Sequence, residues 1–206
     1  IYMAGTIASV SQQPDLIEIL LKIKWVGIIL LPATYLHFSD SLLTLTGRPS
    51  RGRRLWAVRL TYLFSVVMIV LVPLNIIIGP YAERGLPAPY LTRTPLTNVF
   101  AIYYVVVMLV AGSILYRAFQ RTVTKTSRRR MIYLLTGATF AAIGTFPDLL
   151  FGSGIFSQIP IVYWVITSIS RLAVGGFLVI MTYGVAFFGV TWPDRVIKSR
   201  LFKWLL

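Results

Sequence analysis

Residues 29–49, ILLPATYLHFSDSLLTLTGRP, hold the chain's only histidine within an apolar run. His37 stands three residues before Asp40, so the two are expected on one face of a helix. An imidazole beside a carboxylate can relay a proton, hold a ligand or anchor a contact between helices. Two more charged residues, Asp148 and Arg171, also lie inside apolar stretches. A charge at the centre of a bilayer costs about 2.5–3.5 kcal/mol on insertion scales, so such groups turn inward and pair. Arg171 is therefore expected to pair with Asp40 or Asp148, with His37 hydrogen-bonded nearby. A plain packing contact and a site for a ligand, a proton or a pigment both fit this pattern.

Other chemistry lacks its residues. The chain has no cysteine, which excludes disulfides, thiolate metal sites and iron–sulfur clusters. One histidine cannot supply both axial ligands of a transmembrane haem, and no His and carboxylate cluster offers a catalytic metal site. The last apolar stretch contains Arg171 but no lysine for a retinal Schiff base. No glycine-rich phosphate loop is followed by Lys-Ser or Lys-Thr. The chain is expected to catalyse no reaction by itself, and the sequence leaves any cofactor unknown.

The elements that must position these residues are membrane helices. Of 206 residues, 57% are hydrophobic and 13% charged, about half the charge of an ordinary soluble domain. The expected fold is all-α: a polytopic transmembrane bundle over residues 1–189, with five complete spans and a partial N-terminal helix, Ile1–Val10. The spans are expected at 23–46, 55–78, 95–116, 131–151 and 161–188, with Asp15 as a helix cap and 81–94 as a long loop rich in proline. Pro32, Pro73 and Pro147 are expected to kink or open helices. Residues 190–206 follow as a basic amphipathic helix on the membrane surface.

The net charge of +14 is concentrated between spans. Segments 48–54, 117–130 and 190–206 hold fourteen of the twenty Lys and Arg residues. Short basic loops stay in the cytoplasm, which places these segments and the C-terminus inside. The basic residues thus read as a topological signal and not as a nucleic-acid footprint.

One longer pattern adds to this. In DLIEILLKIKWVGIILLPATYLHFSDSLLTLTGR (Asp15–Arg48), Glu18 precedes Lys24, Trp25, Gly27 and Pro32, and LTGR closes the helix. This run resembles the N-terminal seven-transmembrane region of bacterial sensor histidine kinases, as does the later succession of a Pro-kinked span, an outer loop, a basic inner loop and two closing helices. The resemblance implies a sensor or signal-input bundle in the bacterial inner membrane, with the family's first span and half of its second missing before Ile1 and its output module missing after Leu206. A second reading is an accessory subunit of a larger photosynthetic or respiratory complex. The expected partners are the lipid bilayer and other transmembrane helices, in a homodimer or a larger assembly, and not nucleic acid.

Overall fold

The computed structural model describes residue 7 and residues 13–82, 90–122, 125–150 and 160–188. Among these it is mostly helical, with five helices and one two-stranded hairpin: α1 (Pro14–Leu45), α2 (Arg53–Leu71), β1 (Ile78–Ala82), β2 (Tyr90–Arg93), α3 (Pro95–Gln120), α4 (Lys125–Leu150) and α5 (Pro160–Phe188). Apart from Ile7, the expected partial helix Ile1–Val10 lies outside the described residues, as does the expected amphipathic helix 190–206.

Helix α1 begins two residues earlier than Asp15 as its cap would set it. Pro14 takes the first helical position, where its fixed φ and missing N–H cost nothing, and Gln13 becomes the extended cap. Asp15 falls in the first turn, where its charge suits the helix dipole. Gly47, with φ of 86°, turns the chain after Leu45 as its position suggests. Pro32 is buried inside α1 without ending it. In the turn that this proline disturbs, the Ile29 carbonyl accepts a hydrogen bond from the buried Ser65 hydroxyl of α2, at 3.0 Å.

Helix α2 is shorter than its apolar run. It ends at Leu71, whereas the hydropathy alone extends to Ile78. Pro73 cannot donate to the next rung, and Asn75 adopts a left-handed φ of 57°, so the chain leaves the helix and enters a strand. Where the expected long loop after it is described, its two sides are strands of a β-hairpin. β1 and β2 pair antiparallel, Ile78 opposite Arg93 and Ala82 opposite Tyr90, with an irregularity between Ile78 and Tyr81. Gly79 and Pro80 occupy that irregularity, where proline's missing donor is tolerated. A Cβ on Gly79 would collide with the Thr92 hydroxyl.

Two apolar clusters join the helices. Trp25, Ile28 and Ile29 of α1 pack with Met68, Ile77, Ile78, Phe100 and Tyr104 beneath the hairpin. Further along, Leu36 and Leu43 meet Val58, Ala111, Leu115, Ala118 and Met131. Ala111 and Ala118, both fully buried, let α3 approach α1 closely. The bundle therefore has a hairpin end, with the start of α1 and the end of α2, and a turn end, where the α1–α2 and α3–α4 connections lie. Helices α4 and α5 pack chiefly on each other, with Tyr133 edge-on to Tyr183 at 5.7 Å.

The number of membrane crossings needs correction. Among the described residues, only α2 and α3 are both long and apolar enough to cross a membrane, against five complete spans and a partial one expected. Helix α1 has the length, and Lys22, Lys24, His37 and Asp40 interrupt its apolar sequence. Among the described residues, the apolar runs found in α4 and α5 are Met131–Phe140 and Trp164–Ile180.

Candidate functional site

Asp40 sits in the last third of α1, five residues before its end at Leu45. That distance is about 7.5 Å along the axis, within reach of an arginine heading the next helix. Arg54 fills this position. Its Nε lies 3.2 Å from Asp40 Oδ1, and the two side chains are 23% and 7% exposed respectively. The same guanidinium donates from Nη2 to the carbonyls of Arg48 and Pro49, at 2.9 and 2.8 Å. Arg54 thus ties the carboxylate, the turn and the start of α2 into one unit.

The pair is close but poorly aligned. Asp40 Oδ1 and Arg54 Nη1 are both buried without a hydrogen bond of good geometry, as is Ser50 Oγ in the same turn. Desolvation of two charges opposes their mutual attraction, so a pair with incomplete hydrogen bonding is a weak net contributor. Breaking it is another matter, because either partner alone is a stranded charge.

His37 takes a different direction. Three residues on a helix span about 300°, which leaves His37 and Asp40 some 60° apart around the axis. Asp40 faces the interior, while His37 is exposed on the outer side. Its Nδ1 lies 3.2 Å from the Tyr62 hydroxyl of α2, and the rings meet edge to face at 5.8 Å. Arg171 is exposed on α5, and among the described residues no ion pair includes it. Asp148 lies in the last turn of α4, and its side chain is outside those described.

The four residues marked by the sequence are therefore not brought together among the described contacts. Of the two carboxylates expected for Arg171, Asp40 is taken by Arg54, a neighbour across a short turn that needs no long-range docking, and the alternative with Asp148 lies outside the described side chains. Arg54 and Tyr62 are the partners that sequence reasoning missed. For Arg54 a signal existed: the RPSRGRR run lies just beyond Asp40 and enters the next helix. Among the described residues, no group of three His, Asp or Glu side chains could hold a metal.

At the other end, Thr94 and Thr97 close the hairpin onto α3. The Thr94 N–H donates to Thr97 Oγ1 at 3.1 Å, and the Thr94 hydroxyl donates to the Ile76 and Ile77 carbonyls at 2.8 and 2.6 Å. The buried Thr97 hydroxyl also bonds the Ile77 carbonyl. Glu18 of α1 pairs with Lys22 at 2.6 Å and accepts the Tyr81 N–H at 3.5 Å. The Lys22 hydrogen bond holds its carboxyl below the usual range, against the opposing pull of partial burial.

The chain matches no protein-family model, no curated protein and no solved structure.

Proposed function

We propose that the chain is a membrane-embedded signal-input bundle of the kind that bacterial sensor histidine kinases carry, non-catalytic by itself, with its turn end in the cytoplasm. Helices α2 and α3 cross the bilayer with their apolar faces toward lipid, α1 runs beside them from the hairpin end to the turn end, and α4 and α5 complete the bundle. The observation that carries the membrane reading is the placement of polarity. Leu60, Leu63, Val66 and Val70 of α2 and Ile102, Val106 and Leu109 of α3 face outward, while Asp40 is buried. Soluble proteins rarely leave apolar faces of that extent in water. A signal-input role is supported by the Asp40–Arg54 unit. Its misaligned geometry is a weak lock between α1, its turn and α2, and weak locks suit elements that shift between two packings.

The second reading, an accessory subunit of a larger membrane complex, is favoured by α5, where Ile161 and Leu172 are 75% and 76% exposed. Such a surface suits neighbouring helices as well as lipid. Purification of the tagged protein from its own membranes in mild detergent, followed by native mass spectrometry, separates the two. A signal-input bundle emerges alone or as copies of itself. Recovery in fixed stoichiometry with other membrane chains contradicts the sensor reading and supports the subunit.

A further inference from the structure

The most prominent charged surface that the Asp40–Arg54 unit leaves over is the outside of the turn end. Arg48, Arg51, Arg53 and Arg59 are exposed around the α1–α2 turn, and Arg117 and Arg121 are exposed where α3 ends. The cluster that joins Leu43 and Val58 to Ala118 and Met131 places both groups at the same end of the bundle. Among the described residues Asp40 is the sole acid there, and Arg54 already occupies it. Among the described residues none of the six arginines has a carboxylate partner.

What borders these arginines identifies their counter-ion. Trp56 is 59% exposed with the Arg59 guanidinium 5.9 Å from its ring centre, and Tyr116, beside Arg117, is 55% exposed. Deeper along the same helices the outward residues are Leu60, Leu63, Val66, Val110, Val106 and Leu109. Apart from Arg59, whose guanidinium lies against the Trp56 ring, the order inward from the turn end is arginine, then indole and phenol, then aliphatic side chains, that of a single leaflet from headgroup to acyl chain. A nucleic acid would need a hydrated basic groove, whereas this band is continuous with an apolar wall.

From this arrangement we infer that the turn end is a binding surface for anionic phospholipid, with headgroup phosphates held between the α1–α2 turn and the α3–α4 junction. The inference rests on the membrane reading above and adds a preference for the charge of the lipid. Each arginine engaged near an anionic surface contributes about fivefold to the preference at low salt.

The test uses the full chain in lipid nanodiscs, either phosphatidylcholine alone or an equal mixture with phosphatidylglycerol. Native mass spectrometry then counts the lipids that stay bound on release. Phosphatidylglycerol should be retained over phosphatidylcholine, the preference should fall with added salt, and it should largely vanish in the Arg51→Gln/Arg53→Gln/Arg117→Gln variant. The Lys22→Gln/Lys24→Gln variant, altered at the hairpin end, should keep it. Thermal unfolding of the triple variant in phosphatidylcholine discs should match the parent, which separates lost binding from lost folding. Equal retention of both lipids by the parent protein, or a preference untouched by the triple substitution, overturns the inference while leaving the membrane reading standing. A labelled oligonucleotide that binds the discs and displaces phosphatidylglycerol assigns the surface to nucleic acid instead. A chain that stays in buffer and enters no disc overturns both.

Discussion

The hairpin end and the turn end of this bundle handle polar groups in opposite ways. At the hairpin end, hydroxyls and charges find partners within the protein: Glu18 with Lys22 and Thr94 with Thr97 close in sequence, and Thr94 with the Ile76 and Ile77 carbonyls across the hairpin. At the turn end one buried acid faces one arginine, and the other arginines point away from the protein. Polarity closes the structure at the first end. At the second it is left over for whatever surrounds the molecule, which is how a membrane protein fixes its orientation.

The sharpest way to break this contrast is to strand Asp40. Arg54→Leu leaves a carboxylate that is 7% exposed without a cation and also frees the turn carbonyls. A loss of about 3–5 kcal/mol is expected, since removal of one partner leaves the other charge uncompensated. Asp40→Leu should cost less, because Arg54 is 23% exposed and can extend toward the headgroups. The double variant should be more stable than Arg54→Leu alone. Thermal unfolding of the four proteins in nanodiscs makes the double-mutant cycle, and additive losses would remove the pair from the account.

At the hairpin end the corresponding change is milder. Thr97→Val keeps the shape of the side chain but loses its bonds to the Thr94 N–H and the Ile77 carbonyl. A cost of about 1–2 kcal/mol is expected from the lost cap. Hydrogen exchange should rise at the start of α3 and in β1, with the turn end unchanged. An increase spread evenly over both ends would show that they are not separate units.

The smallest effect concerns pH. The Glu18 carboxyl is held below its usual range, chiefly by Lys22. Its stabilising contribution is therefore present above the ordinary carboxylate range and is lost as pH falls through the lowered folded value. A partly exposed pair one helical turn apart contributes only about 0.3–0.5 kcal/mol. The acid-side loss should disappear in Lys22→Ala, as read from melting temperature against pH. An unchanged acid slope in that variant would remove Lys22 as the cause.

Much of the helical layout was legible because it depends on local chemistry. Gly47, Thr94 and Pro95 mark helix ends through φ preferences and lost donors, which act within a residue or two, whereas Pro14 was masked by Asp15. The hairpin was hidden, since Gly79, Pro80, Pro87 and Pro89 resemble a plain loop and the pairing of Ile78 with Arg93 is a long-range choice. The premature end of α2 was hidden too, because hydropathy continues past Pro73 while the hydrogen-bond ladder does not. At the candidate site, composition marked Asp40 as a group needing a partner. It could not choose between Arg171, far along the chain, and Arg54, across the turn. His37 misled through spacing: three residues put it near Asp40 in height, yet far enough around the axis to face outward beside Tyr62.

The central claim is that the two ends lie on opposite sides of a membrane. The absence of native cysteine makes this directly measurable. Arg51→Cys marks the exposed α1–α2 turn, and Ile76→Cys marks an exposed position next to the hairpin. Each is treated with a membrane-impermeant maleimide in intact cells and in inverted vesicles. Arg51→Cys should react only in inverted vesicles and Ile76→Cys only in intact cells. Reaction of both from the same side, or recovery of both labelled proteins in the soluble fraction, would contradict it.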